Sequence, residues 1–396
     1  MHLCHINLPT EYYNADSAGA VARVISESSQ AVEQKGHRVT VVTRPGGGPP
    51  LPGGATTDLE VRSREQLSPA ERVVSRVLSR LKRWDWAYYD HHVRATTDAL
   101  NSLDHPPDVV FAHNDLVAPS WLRRAAPRAA RVVWLHNELT HTRQRGVSKS
   151  LDAADGVVAV SRHMAAWAGE LGYRADRIAV VPNGANPAVF RPRADWDSPS
   201  GPVRVLFLGR IEPNKGPDLV VDAYQSLRSD GLAVDLTIAG GVWWHGEDGG
   251  EYWDRVRAEA VAAGAAWLGR VQHTEAATLM REHDVLCLPS RTAEGYPLVI
   301  AEAKASGLAV ITSDRGGQVE AGGGAALLVH PEQPGSVTDA LRRLVTRPQA
   351  LLAAKSASLD ESRSTTWEHT ADLLIASIAA LKTPARNSAP SGSVAG

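Results

Sequence analysis

The sequence predicts an α/β protein made of two doubly wound parallel sheets with a cleft between them. Three observations carry this. Short Val/Ile/Leu-rich runs alternate with longer helical patterns from end to end, the signature of parallel strands covered by helices on both faces. Each half holds about six such runs, enough for a doubly wound sheet of its own. Between the halves lies RPRADWDSPSGP, Arg191 to Pro202, whose prolines and scattered charges interrupt any period. The boundary falls there. One domain is expected over 1–195 and a second over 203–365. A helix over 366–382 should pack back on the first domain, and the Pro/Ser/Gly/Ala-rich 383–396 reads as a disordered tail.

In order, the first half has strands near Leu3–Leu8, Arg38–Thr43, Val109–His113, Val132–His136, Val157–Ser161 and Ile178–Pro182. The second has them near Val203–Leu208, Asp235–Ala239, Ala265–Leu268, Val285–Pro289, Ala309–Thr312 and Ala326–Val329. Asp16-Ser17-Ala18-Gly19-Ala20 follows the first strand and opens a helix that ends at Lys35-Gly36-His37. Ser68-Pro69-Ala70-Glu71 is a capping box with proline at the first helical position. It starts an inserted helix with Val73, Val74, Val77, Leu78 and Leu81 on one face and Arg72, Arg76, Arg80 and Arg83 on the other. A second insertion, Val242 to Val256, begins at a strand end and concentrates tryptophan.

Composition narrows the function classes. The 396 residues are 43% hydrophobic and 22% charged, with 42 Lys+Arg against 44 Asp+Glu. A net charge of −2 supplies no bulk attraction to nucleic acid, whose binders concentrate Lys and Arg. Cys4 and Cys287 both sit in apolar strand runs, with no disulfide framework or Cys-x-x-Cys site. A reducing, cytoplasmic setting fits. The first residues lack the charged lead and apolar core of a signal peptide, and no run of eighteen apolar residues occurs. If the protein touches a membrane surface, 68–84 is the segment to do so.

Two constellations carry chemistry. Gly209-Arg210-Ile211-Glu212-Pro213-Asn214-Lys215-Gly216 lies between a strand end and a helix start. Arg210 and Lys215 there can clasp a diphosphate, the arginine as a planar fork and the lysine as a point charge. Glu294-Gly295-Tyr296-Pro297-Leu298-Val299-Ile300-Ala301-Glu302 follows another strand and runs into a helix. Were all nine residues helical, the two carboxylates would stand roughly 12 Å apart along the axis. With Glu294 on the loop and Glu302 on the helix, both can line a pocket around the helix N-terminus, where free N–H groups favour an anion. His136 and His113 end strands, and strand-end polar residues of such sheets face the ligand crevice. Asp195-Trp196-Asp197 has the look of a metal-binding Asp-x-Asp but lies in the linker, so no metal site is read.

Taken together these residues resemble the retaining nucleotide-sugar glycosyltransferases of family 4, which have the GT-B fold of two Rossmann-like domains. The resemblance runs from Met1 to about Leu381 and rests on the Glu294-to-Glu302 segment, Lys304-Ala305-Ser306-Gly307, Gly316-Gly317-Gln318-Val319-Glu320, Gly209-Arg210 with Lys215-Gly216, and Val181-Pro182-Asn183-Gly184. It implies that Arg210 and Lys215 hold the donor diphosphate, Glu302 the ribose hydroxyls and Glu294 hydroxyls of the transferred sugar. Amides around Tyr296, Leu298 and Val299 would meet phosphate or sugar oxygens, Gly19 and Gly209 would line the donor, and His136 would reach the sugar's outer hydroxyl. No metal is implied, because the cations replace it, and no cofactor beyond a UDP- or GDP-type sugar donor as substrate.

Three positions depart from the family pattern. Ala18-Gly19 stands where two glycines are frequent, Asn186 where aspartate is common, and Pro297 where glycine is frequent. Pro297 removes one amide N–H from the donor contact.

The acceptor is expected to be a small soluble molecule held by the first domain, with His113, Asn114, Trp84 and Trp86 as candidate contacts. The Ala/Arg-rich composition points to a bacterial source, and antibiotic or low-molecular-weight thiol assembly are the settings it suggests. Hydrolysis by Glu294 and Glu302, nucleotide-sugar epimerisation and non-catalytic sugar binding are the rival readings. Oligomeric state has no signal in the sequence.

Overall fold

A computed structural model describes residues 1–8, 11–15, 19–44, 46, 48–59, 68–73, 77, 86–139, 150–197, 201–242 and 249–382. Among them, two parallel sheets organise the chain. The first contains β1 (His2–Ile6), β2 (Arg38–Thr43), β3 (Ala55–Asp58), β4 (Val109–His113), β5 (Ala130–Leu135), β6 (Gly156–Ala159) and β7 (Ile178–Val180), in the order β3-β2-β1-β4-β5-β6-β7. Helices α1 (Ala20–Gln34), α2 (Trp86–Asn101), α3 (Ala118–Ala125) and α4 (Arg162–Glu170) connect these strands.

The second sheet contains β8 (Val203–Leu208), β9 (Val234–Ala239), β10 (Ala266–Gly269), β11 (Val285–Leu288), β12 (Ala309–Ser313) and β13 (Leu327–Val329), ordered β10-β9-β8-β11-β12-β13. With it go α5 (Pro217–Ser229), α6 (Glu251–Ala262), α7 (His273–Glu282), α8 (Leu298–Ala305), α9 (Gly316–Gly322), α10 (Ser336–Thr346) and α11 (Pro348–Ser362); α12 (Trp367–Lys382) ends the described chain.

Strand order reverses between β1 and β4 in one sheet and between β8 and β11 in the other. Such switch points open crevices at the carboxyl ends of the strands. The loops after β1, β4, β5, β8 and β11 therefore carry the candidate site. All five residues of β1, β4 and β12 are buried, which is why these strands read as continuous apolar runs rather than alternating ones.

The twelve strand positions expected from the sequence are all present. β3 is the addition. Its sequence, ATTD, is mostly exposed and has no apolar period, so only pairing with β2 identifies it. The Ser68 capping box also forms: Ser68 N donates to Glu71 Oε2 at 2.8 Å and Glu71 N to Ser68 Oγ at 3.3 Å. Beyond it, Val73 and Val77 stand 57% and 52% exposed, so among the described residues that apolar face is uncovered. The rest of 74–84, the tail 383–396 and Trp243 and Trp244 lie outside the described residues. No helix among the described residues is long and apolar enough to cross a membrane.

The chain crosses between the two sheets twice. The second crossing pairs Ala185 with Thr366, Ala185 N donating to Thr365 O at 2.9 Å. α12 then packs on α1, and Leu381 lies so close to Gly156 that a Cβ there would meet its Cδ1 at 2.5 Å. Around the linker, the buried Asp284 accepts from Arg193, Arg204 and Lys355. A buried carboxylate needs such partners, and these tie the linker and α11 to the foot of β11.

Glu320 of α9 reaches across to the first domain. Its carboxylate accepts from Arg162 N at 2.9 Å and His163 N at 3.0 Å, while Ser161 Oγ takes Met164 N at 3.1 Å. These three N–H groups open α4 and have no partner within the helix. Glu320→Ala removes a cap worth about 1 kcal/mol, and here that cap holds the domains together. The expected result is a fall in Tm of roughly 2 to 4 °C. Thermal melting of the two proteins checks it.

Candidate active site

β8 ends at Leu208, and Gly209 N continues its ladder by donating to Ala239 O at 3.1 Å. The loop then turns through a short 3-10 segment to Gly216, whose φ of 68° suits glycine. Arg210 lies at the mouth, 39% exposed, with Nη1 shared between both oxygens of Glu212 at 3.1 and 2.8 Å. Lys215 points the other way, into the cleft: its Nζ contacts Glu294 Oε2 directly, and the two side chains are 14% and 16% exposed. Ser290 Oγ donates to the other oxygen, Oε1.

The Glu294-to-Glu302 segment divides as the pattern implied. Pro297, with φ −63° and ψ 121°, stands before the helix, and α8 runs from Leu298 to Ala305. Glu294 is on the loop and Glu302 on the helix. Tyr296 is buried, and its carbonyl accepts from Asn183 Nδ2 at 3.0 Å, a bond between the domains. Glu302 Oε1 lies 3.0 Å from His273 Nε2. Arg23 and Glu27 of α1 face the same spot: Glu27 is held above the usual carboxylate range by burial first, with Glu302 adding to the shift.

Close packing brings this loop onto the first domain. A Cβ at Gly295 would sit 1.9 Å from the His136 carbonyl oxygen, and one at Gly317 would sit 1.6 Å from Gly295 O. Gly317 N donates to Glu294 O at 2.7 Å. Only hydrogen at both positions permits the contact, so the glycines set the distance between Glu294 and the end of β5.

On the first-domain side, His136 N donates to Asn114 Oδ1 at 2.8 Å and His136 Nε2 meets His113 Nδ1 at 2.8 Å. Asn114 has φ 50°, the only positive φ of a non-glycine among the described residues, and asparagine tolerates that region best after glycine. Its Nδ2 also donates to Asn137 Oδ1 at 2.8 Å. Burial pushes the His136 imidazole down to about 3, so it works as a neutral group.

His113 is placed differently from an acceptor contact. Its ring is 1% exposed and both nitrogens are taken, by His5 and His136, so it reaches the cleft only through His136. Trp84 lies outside the described residues, and Trp86 opens α2.

Gly19 is the residue before α1 and gives that helix no side-chain cap. Glu11 supplies one, its Oε2 accepting from Ala22 N at 3.0 Å. A Cβ at Gly19 would fall 2.3 Å from Glu11 Oε1. Burial raises the Glu11 carboxyl to about 7. The folded form then holds a proton that the unfolded chain loses near its usual value of about 4.3. Stability from this group is present below that value and is lost as pH rises to about 7. Urea midpoints between pH 5 and 8 should fall with pH in the wild type, and Glu11→Gln should remove about 3 kcal/mol of that fall.

Sequence reasoning missed Glu11, His5, His273 and the Arg23/Glu27 pair. A histidine within the apolar run Leu3–Ile6 was the available signal for His5. None existed for the others, which are joined to the site only by folding.

Two family models match the chain. The model described as "Glycosyltransferase Family 4" matches residues 21–189, and the one described as "Glycosyl transferases group 1" matches 190–359. Between them they cover the second sheet, the first sheet apart from β1, and the site loops from β4 onward. The chain belongs to glycosyltransferase family 4. A relative in this family, D-inositol 3-phosphate glycosyltransferase of Rhodococcus erythropolis, is 32% identical over 248 residues, 59% of this chain and 56% of that protein. The enzyme of the same name from Mycobacterium tuberculosis is 33% identical over 51% of this chain and 43% of its own. The match thus spans about half the length of these curated relatives.

Among solved structures, sucrose-phosphate synthase from Thermosynechococcus elongatus superposes with a TM-score of 0.73 at 19% identity, over 95% of this chain and 97% of that one. Anabaena HepE, solved with UDP-glucose, gives 0.68 at 16% identity over 96% and 99%. At these identities the likeness is one of fold, and it is the GT-B fold of the family.

Proposed function

We propose that this family-4 chain is a retaining glycosyltransferase that moves a sugar from a UDP- or GDP-type donor to a small soluble acceptor. One observation carries the reading: the Gly295 contact sets the Lys215–Glu294 pair and the start of α8 against the His136 end of β5. A donor lying across that junction would have its diphosphate on Lys215, Arg210 and the N-terminus of α8, its ribose on Glu302, and its sugar between Glu294 and His136. Gly19 at the start of α1 and the amides of Leu298 and Val299 would complete the phosphate cradle, with Pro297 contributing no N–H.

Transfer on this reading runs on the face the diphosphate leaves. The bond from the anomeric carbon to the phosphate oxygen breaks with its electrons going to the diphosphate. An oxocarbenium-like centre forms, the acceptor oxygen bonds to that carbon, and the departing phosphate oxygen takes the acceptor's proton. Protein groups stabilise the charge on the diphosphate. Cations aimed at developing charge each supply about 3 kcal/mol, so Arg210 and Lys215 can serve without a metal ion. The carboxylates of Glu294 and Glu302 are engaged separately, by Lys215 and His273, which disfavours an acid and nucleophile pair acting on one bond.

The relatives named D-inositol 3-phosphate glycosyltransferase support a cyclitol or cyclitol phosphate as acceptor, attacked through a hydroxyl. Thiol or antibiotic assembly in a bacterial cytoplasm is the matching setting. Incubation with UDP- and GDP-sugars and a panel of cyclitols tests this. Expected are a product that keeps the donor's anomeric configuration and a rate unchanged by EDTA. An inverted product, or free sugar released as fast without acceptor, overturns it.

A further inference from the structure

Arg291 grips the Lys215 loop from the neighbouring strand. It follows β11, which pairs with β8, and its backbone N donates to Asn214 O at 2.7 Å. Its guanidinium Nη1 donates to Pro213 O at 2.8 Å and to Asp218 Oδ1 at 2.8 Å, and Nη2 donates to Asp218 Oδ2 at 2.6 Å. Asp218 lies in the first turn of α5 and also accepts from Tyr252 Oη of α6 at 2.6 Å. Arg315 Nη1 in turn donates to Arg291 O at 2.5 Å. Close packing supports the grip, since a Cβ at Gly216 would fall 2.4 Å from Pro289 O.

Lys215 lies between these contacts. Pro213 and Asn214 precede it, Asp218 follows it, and one residue holds all three. The short 3-10 turn Pro213–Lys215 has little strength of its own, because hydrogen bonds in such turns are poorly aligned. A lysine is a point charge on a flexible four-carbon stem, so the place of its Nζ depends on where the backbone anchors that stem. Arginine suits the anchoring task. Its planar guanidinium serves a carbonyl and both oxygens of a carboxylate at once, a geometry that an ammonium does not offer. With Asp218 bound to both of its terminal nitrogens, Arg291 is engaged as a clamp rather than as a cation open to a diphosphate.

We propose that Arg291 is a positioning residue for Lys215: by fixing the carbonyls before it and the carboxylate after it, Arg291 holds the Lys215 ammonium beside Glu294, where it meets the leaving diphosphate. Asp218 orients the guanidinium, and Tyr252 orients Asp218. Because Arg291 and Glu294 belong to the same loop after β11, the clamp also sets the distance between the two loops that would hold the donor. The proposal rests on the transfer reading, in which Lys215 touches the diphosphate.

The test uses the full chain. Arg291→Ala keeps the backbone bond to Asn214 and removes the guanidinium. Reductive methylation without substrate, with each lysine read by mass spectrometry, reports how firmly Lys215 is held, since its side chain is 14% exposed beside Glu294 in the wild type. In Arg291→Ala, Lys215 should react about tenfold faster, the effect of losing one charge-assisted hydrogen bond. Lys304 and Lys355, buried in the same domain, should keep their wild-type rates. An unchanged Lys215 rate, or an equal rise at all three lysines, overturns the proposal. With the donor and cyclitol that show transfer, kcat should fall about tenfold. In a Lys215→Ala background the same substitution should change kcat less than about twofold, because a clamp without its lysine has nothing to position. Unchanged kcat in Arg291→Ala, or a further tenfold loss in the Lys215→Ala background, overturns the positioning role. If Arg291→Ala does not fold, Asp218→Asn, which takes one acceptor from the fork, should speed methylation of Lys215 about threefold, and an unchanged rate there is equally fatal. Methylation is read without substrate and decides the clamp, whereas absent transfer by the wild type counts against the transfer reading.

Discussion

Lys215→Ala is expected to lower kcat by about 10² to 10³ while the protein stays folded, because removing one donor aimed at developing charge has that effect. The structure adds a second consequence. Lys215 Nζ is the cation in contact with Glu294, and Glu294 is 16% exposed. Losing it leaves a mostly buried carboxylate with Ser290 Oγ and, at 3.4 Å, Gln318 Nε2 as its donors and no cation beside it, at a cost of about 1 to 3 kcal/mol. For a domain of this size about 1 kcal/mol moves Tm by roughly 2 to 4 °C. The signature is thus a large kinetic loss with a small thermal one. Steady-state assay and thermal melting of the same preparation check both. A variant within threefold of wild-type kcat removes Lys215 from the mechanism.

Gly295→Ala should do comparable harm by geometry alone. The added Cβ would lie 1.9 Å from the His136 carbonyl oxygen, 2.8 Å from its carbon and 3.2 Å from Val160 Cγ2. Carbon and oxygen out of bonding rest at about 3.3 Å or more, so the loop or the whole second domain must retreat by more than an ångström. Glu294, Tyr296 and the start of α8 retreat with it. A misplacement of about 1 Å costs on the order of 10²-fold in rate. Neither sheet is touched, so circular dichroism should be unchanged, and small-angle scattering should report the wider form. Wild-type kcat in this variant would mean that transfer does not use the close contact.

These two residues show the different reach of sequence and structure. Lys215 is legible because strand, loop and helix are written next to one another, and a cation five residues after Arg210 falls at the strand mouth in any sheet of this kind. Gly295 is legible only as part of a motif. Its steric role depends on a carbonyl more than a hundred positions earlier in the chain. His113 marks the limit most clearly: a strand-end histidine reads as a crevice residue, yet pairing of β1 with β4 and β4 with β5 brings His5 and His136 to its two nitrogens and closes it off. Asn114 is similar, for its side chain holds the His136 amide.

What the residues determined by themselves is everything local. Apolar runs and breaks placed all the strands except the polar edge strand β3, Pro297 and Leu298 placed the start of α8, and charge spacing marked Arg210, Lys215, Glu294 and Glu302. Each of these depends on neighbours within about ten positions, where backbone geometry fixes direction and distance. Tertiary structure decided which distant groups meet. It joined Lys215 to Glu294, His273 to Glu302, Glu320 to the start of α4 and three histidines into one line. Such pairings depend on strand order and on the approach of two domains, and neither leaves a period in the chain.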